Sequence, residues 1–256
     1  MARADVPMVQ DAVEFARMRL GFEPDEQQRR VLLSTAKRGI LNCSRQWGKS
    51  TTVAAKAVHR AYMRPGSLVL VASPSGRQSA EFVRKASGML MRLGIKPRGD
   101  GDNEWSLLFP NGSRIVGLPG TMATLRGFSS VSMLLIDEAA WVPDELYTTL
   151  SPTLAVSGGD VWMMSTPFGR RGFFYMTWAH GGAGWERISV PATECQRIPE
   201  EHLEEERGRM GDEIFRREYM CEFVDRGAGC FDLEVIERAI RETVRPLNMG
   251  WRLSNF

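Results

Sequence analysis

Paired cysteines are missing from this chain. Its four cysteines, Cys43, Cys195, Cys221 and Cys230, are scattered and none belongs to a Cys-x-x-Cys unit. That argues against a zinc ribbon or a disulfide framework and fits a reducing compartment. Lysine is scarce, with only Lys37, Lys49, Lys56, Lys85 and Lys96, so the cations are nearly all arginine. Arginine favours planar recognition of phosphate, although a surface arginine is as readily just solvated. A strong charge of one sign is absent too. The net charge of +2 does not advertise a nucleic-acid binder. No apolar run reaches transmembrane length and no signal peptide is visible, so no membrane partner is expected. Asn42 and Asn111 fit the glycosylation pattern, which is read as chance in an intracellular protein. What remains is ordinary: 43% hydrophobic and 25% charged residues over 256 positions. That suits one large α/β domain, or one with a smaller appendage.

A glycine is also missing from an otherwise recognisable loop. Residues 43–51 read Cys-Ser-Arg-Gln-Trp-Gly-Lys-Ser-Thr. A Gly-Lys-Ser unit between a short apolar run and a helix-forming run is the working end of a phosphate-binding loop. Backbone N–H groups and the helix N-terminus cradle phosphate oxygens, the Lys neutralises β/γ charge, and the Ser hydroxyl ligates Mg²⁺. The usual pattern places Gly five positions before Gly48, where this chain has Cys43, and Arg45 stands inside the loop. The expected nucleotide contacts are Ser44, Arg45, Gln46, Trp47, Gly48, Lys49, Ser50 and Thr51.

Periodicity supplies the context. Helical spacing covers residues 9–20, and Pro24-Asp25 opens a helix predicted to run to about Lys37. A strand is expected at 39–43 and a helix at 50–63. The continuous apolar runs 67–72, 131–136 and 160–165 read as strands buried on both faces. Residues 78–93 and 143–154 read as helices. Pro110-Asn111-Gly112 between 105–109 and 113–118 signals a hairpin. Strands alternating with helices predict a mostly parallel, helix-flanked sheet. After about Gly184 the composition shifts. A strand at 185–190 is followed by charge-dense helical sequence over 199–223, broken near Gly208 and Gly211. Residues 225–229 read as a linker and 231–240 as one more helix.

Further motifs make the loop specific. Residues 133–138 are four apolar residues followed by Asp137-Glu138. At a strand's C-terminal end, Asp137 would hold the metal and Glu138 would act as general base on the attacking water. An isolated Asp-Glu pair more often caps a helix, but beside a phosphate loop that alternative recedes. Ser165-Thr166-Pro167 ends another apolar strand and brings hydroxyls to the same edge, where they could sense the γ-phosphate. Alone, it would read as a turn. Gln28, upstream, is expected to read adenine through its amide, with Gln27 as the alternative. Arg84, Lys85, Arg92, Lys96, Arg98, Arg170 and Arg171 are candidate DNA-phosphate contacts, each more readily explained as a solvated face.

In order along the chain, residues 24–28, 44–51, 125–127 (Leu-Arg-Gly), 136–139 (Ile-Asp-Glu-Ala), 165–167 and 217–223 resemble the large terminase subunit of tailed bacteriophages. The resemblance spans about residues 20–225, and its most specific part is Ser-Arg-Gln-x-Gly-Lys. A first glycine replaced and an early arginine are typical of that family's loop. The resemblance implies an α/β P-loop NTPase of the ASCE type with a small C-terminal helical lid. The implied domains are a core at 1–180, a lid at 181–225, and at 226–256 a linker with the start of a nuclease domain. It further implies an ATPase using Mg²⁺ that pumps double-stranded DNA into a procapsid in the infected bacterium's cytoplasm. Partners would be the portal protein, a small terminase subunit and other copies of the chain, pentameric in family expectation. Arg126, twelve residues before Glu138, matches the family's arginine that enters a neighbour's site in trans, and Arg45 could act in cis. No series of acidic residues after Asp232 suggests a two-metal nuclease, so DNA cutting is not expected. The alternatives are a superfamily 2 helicase-like ATPase, which would need a second RecA-like domain, and a nucleotide-gated assembly switch, which would not need Glu138.

Overall fold

Apolar runs too short for helices and bounded by turn residues become strands when both faces can be covered. In the computed structural model, which describes residues 11–118 and 127–225, β1 (Arg38–Cys43), β2 (Leu68–Ala72), β5 (Met133–Asp137) and β6 (Asp160–Ser165) are such strands. With β3 (Ser106–Leu108), β4 (Arg114–Gly117) and β7 (Glu186–Val190) they form a seven-stranded sheet in the order β3-β4-β2-β5-β6-β1-β7. Every pairing is parallel except that of β3 with β4. The antiparallel pair is the hairpin predicted at Pro110-Asn111-Gly112. Its Asn111 Nδ2 donates to the carbonyls of Ala61 and Tyr62, at 2.9 and 3.0 Å. These lie in the last turn of α3 (Lys49–Met63), so the turn caps a helix.

Alternation along each strand distributes side chains between two cores. Leu41, Cys43, Val69, Val71, Met133, Leu135, Trp162 and Met164 pack with α1 (Ala12–Leu20), α2 (Glu26–Leu33), α3 and α4 (Gly76–Arg92). Ile40, Leu68, Leu70, Leu134, Ile136, Val161 and Met163 pack on the other face, with α5 (Asp144–Leu150) and α6 (Gly172–His180). Gly39 is required by packing, since a Cβ there would lie 2.3 Å from the Trp162 ring. α7 (Glu200–Met210) and α8 (Asp212–Tyr219) share a small core of Ala192, Leu203, Phe215 and Tyr219. They are separated at Gly211 (φ 80°), while Gly208 stays helical. The chain divides into a unit ending at Val224 and a second, Asp225–Phe256, of which only Asp225 is described. The linker at 226–229 and the helix expected at 231–240 therefore lie outside the described residues.

Two expectations are corrected, and one helix had not been expected. α2 ends at Leu33, short of Lys37, because the buried Lys56 ammonium donates to the carbonyls of Val31, Leu32 and Ser34. Those bonds satisfy the helix end in place of another turn. The helix expected through Leu154 tightens after Leu150 into a 3-10 turn, Ser151–Leu154, with Pro152 in its first turn. α6 carried no sequence assignment; its Gly-Phe-Phe-Tyr-Met-Thr-Trp-Ala-His is apolar nearly all round, so amphipathic periodicity could not show it. In addition, β7 pairs with β1 as an edge strand of the main sheet. Residues 186–190 of the segment expected as lid are thus core sheet.

Candidate active site

Parallel strands in register deliver their C-terminal ends to one edge. Cys43 pairs with Val190, Asn42 with Ser165, and Asp137 with Met164. The loop after β1, the Asp-Glu pair after β5 and Ser165-Thr166 at the end of β6 therefore meet, with β6 lying between the other two strands.

The loop is anchored from below. Ser44 N–H donates to Val190 O at 3.0 Å, and Arg45 N–H to Glu218 O at 3.3 Å. Asn42 Nδ2 donates to Cys221 O at 2.7 Å. Trp47 is buried, and its carbonyl accepts from Gln28 Nε2 at 3.0 Å and from Arg197 Nη2. Gln46 and Gly48 supply the left-handed turns, at φ 65° and 96°. Cys43 is extended, as the last residue of β1. The missing glycine is therefore at a position where no positive φ is needed. Gly48 caps α3 without a side-chain bond, leaving the first N–H groups of α3 directed out of the helix end. The Ser44 hydroxyl is buried and has no protein partner among the described residues.

The chemistry-bearing side chains converge above the loop. Lys49 Nζ lies 3.1 Å from Glu138 Oε1. Ser50 Oγ donates to the Asp137 carboxylate, at 2.9 Å from Oδ2. Ser165 Oγ is 3.5 Å from Glu138 Oε2. Thr166 is buried at the same edge. Burial pushes the Asp137 carboxyl above its usual range and the neighbouring Glu138 charge adds to that, while Lys49, Ser50 and Lys85 pull it back. A cleft of about 310 Å³ is lined by Arg45, Gln46, Gly48, Lys49, Ser50, Thr51, Lys85 and Glu138. Arg45 reaches it while its Nε is bonded to Glu218 on α8, a contact that raises its pKa above the ordinary arginine value. Arg217 Nε in turn donates to Glu218 Oε1 at 3.1 Å.

Gln28 is corrected. Its side chain is fully buried, Oε1 accepts from Asp25 N–H at 3.0 Å and Nε2 donates to Trp47 O. These bonds make it a strut between α2 and the loop. The half-buried Gln27 instead lines an adjacent cleft of about 600 Å³ with Asp25, Glu26, Thr193 and Arg197. Arg126 lies outside the described residues. Of the proposed DNA contacts, Arg84 pairs with Glu81, Arg92 Nη1 donates to Leu20 O, and Arg171 stacks on the Phe168 ring. Lys85 belongs to the cleft. Sequence reasoning missed Arg197, which acts through a tertiary contact 150 residues away in the chain and leaves no local signal; Glu218 stood in the family-like stretch 217–223, but its tie to Arg45 spans 173 residues.

Residues 40–238 match the family model described as terminase large subunit, T4-like-virus type, N-terminal. The chain is 29% identical over 249 residues to the large terminase subunits of Thermus phage G20c and Thermus virus P23-45. Those matches cover 83% of this chain and 51% of theirs, so the chain spans about half the length of these curated relatives. Among solved structures, the Thermus phage P74-26 large terminase ATPase domain superposes with a TM-score of 0.73 at 25% identity, covering 82% of this chain and 98% of that one. The HK97 bacteriophage large terminase superposes at 0.70 with 14% identity, over 83% and 54% of the two chains.

Proposed function

The chain belongs to the terminase large-subunit family, and from that premise we propose that it hydrolyses ATP to drive double-stranded DNA into a procapsid. The observation that carries the reading is the convergence of Lys49, Ser50 and Glu138 on one cleft above a phosphate loop, with the buried Asp137 bonded to Ser50. The donor set suits Mg²⁺. Among the described residues no three His, Cys, Asp or Glu side chains cluster as metal ligands, but Mg²⁺ needs no such cage and is held by one or two protein oxygens with substrate phosphates and water. Ser50 Oγ and Asp137 would hold it, and it would supply charge neutralisation between the β- and γ-phosphates.

The rest is done by the protein's own groups. Lys49 and Glu138 now pair with each other. An entering triphosphate competes for Lys49, which turns to the β/γ oxygens and releases Glu138. Glu138 then accepts the proton of a water attacking the γ-phosphorus in line. Ser165, within reach of Glu138, holds the carboxylate's orientation, and with Thr166 it passes γ-phosphate loss to the sheet edge. The adenine is assigned to the cleft beside Gln27 and Arg197. Arg45, tied to Glu218, links the loop to the helices proposed as lid. Arg126 is assigned to a neighbouring copy's site within a homo-oligomeric ring. Portal protein, small terminase subunit and the infected host's cytoplasm complete the proposal.

The decisive variant is Glu138→Ala. It should bind ATP with at least parental affinity and lose hydrolysis by about 10²–10⁴. Parental turnover in that variant would remove Glu138 from the role of base. Negligible turnover by the parent oligomer on DNA would favour the assembly switch.

A further inference from the structure

Beyond the loop and the Asp-Glu pair, one cation in the cleft has no assigned task. Lys85 lies on α4, where Phe82, Ala86 and Met89 form the buried face, and it sits half-buried at that face's margin. α4 packs along α3, the helix that begins at Lys49. Two consecutive basic residues have opposite fates here. Arg84 is exposed and paired with Glu81 one turn back, while Lys85 lines the cleft with Lys49, Ser50, Thr51 and Glu138.

The cleft's other cations are committed within the protein. Lys49 is held by Glu138 and Arg45 by Glu218. Lys85 makes neither an ion pair nor a hydrogen bond with another described residue. Its charge does reach the metal-side carboxylate, whose rise from burial it partly offsets. An uncommitted ammonium facing a phosphate cleft gains most from an anion placed between it and Lys49. A diphosphate seated in the loop is already contacted by the backbone N–H groups and Lys49. The extra charge of a triphosphate lies at its terminal phosphate, farther from the loop and toward Glu138.

We propose that Lys85 is a phosphate-contacting residue acting in cis, whose ammonium binds an oxygen of the terminal phosphate and so distinguishes nucleoside triphosphate from diphosphate. This rests on the assignment of the cleft to ATP. Because α4 carries Lys85, the contact also gives α4 a direct dependence on whether the γ-phosphate is present.

The test is equilibrium binding of ATP-γ-S and of ADP, each with Mg²⁺, to the full chain and to Lys85→Met, Lys85→Arg and Lys49→Ala. Loss of one charge-assisted contact predicts that Lys85→Met weakens ATP-γ-S by about tenfold or more and leaves ADP unchanged. Lys85→Arg should recover most of the loss, which a folding defect would not permit. Equal weakening of both nucleotides, or none, overturns the proposal. So does unchanged nucleotide binding with reduced affinity for duplex DNA at low salt, which would make Lys85 a DNA contact. Lys49→Ala separates the two levels of the argument. If it loses both nucleotides while Lys85→Met behaves as parent, only the Lys85 assignment fails. If Lys49→Ala binds both as tightly as the parent, the ATP site itself is misassigned.

Discussion

Glu138 and Gln46 hold left-handed backbone conformations, φ 52° and 65°, that L-residues adopt at a cost of about 1–3 kcal/mol each. Both lie on the rim of the cleft, where the surrounding sheet edge and loop anchors impose them. Cys43 is the opposite case, relaxed and enclosed. Burial pushes its thiol well above the ordinary cysteine range, with Cys221 adding to the rise, so the base of the loop carries no thiolate. Native protein treated with iodoacetamide near pH 8 should leave Cys43 unlabelled, and Cys221, pushed up to about 12, should behave likewise. Site-resolved mass spectrometry checks this; labelling of Cys43 at the rate seen in denatured protein would contradict the buried loop base. At this scale Lys49, Ser50, Asp137 and Glu138 were legible because each motif needs its residue types at fixed spacing. The role of Gln28 was not, because the direction of an amide is decided by Trp47 O and Asp25 N–H, which only folding brings to it. Lys85 left a partial trace, since it falls one residue before Ala86 and three after Phe82, at the border of a helical apolar face.

Among the elements, the strands came through best, because continuous apolar runs have few other uses in a chain with 25% charged residues. Helix ends were blurred by contacts distant in sequence, as Lys56 shows for α2. The turn entering the antiparallel hairpin carries its own electrostatics. Burial pushes the Asp100 carboxyl up, but hydrogen bonds from Ser106 Oγ, from Asn103 N–H and Nδ2, and from Asp102 N–H outweigh it and bring it to about 2. A carboxylate with a folded pKa below its unfolded value stabilises above the unfolded pKa, and that stabilisation is lost as pH falls through the folded one. Asp100→Asn should therefore be less stable than the parent near neutrality, and the gap should close between about pH 4 and about 2. Denaturant midpoints at several pH values measure it; a gap independent of pH would mean the carboxylate charge contributes nothing.

For the whole molecule, the proposed supply of Arg126 by a neighbouring copy would make the number of copies part of the chemistry. With Arg126 supplied by a neighbour, turnover per chain should rise with protein concentration. Arg126→Ala should remove that rise and lower the plateau by about 10³–10⁵. Hydrolysis assayed against concentration, alongside light scattering, decides it. Turnover strictly proportional to concentration with a monomeric mass would exclude completion in trans.

The sequence by itself determined the parallel α/β fold, the phosphate loop and the carboxylate pair, because strand periodicity and motif spacing are local and each demands particular residue types. Only the tertiary structure decided how those parts are held. It seated Gln28 under the loop, tied Arg45 to Glu218, added β7 to the sheet edge and turned Lys85 into the cleft. Those outcomes depend on the packing of α2, α4, β7 and α8 against the sheet edge, a competition among buried partners far apart in sequence that no spacing encodes.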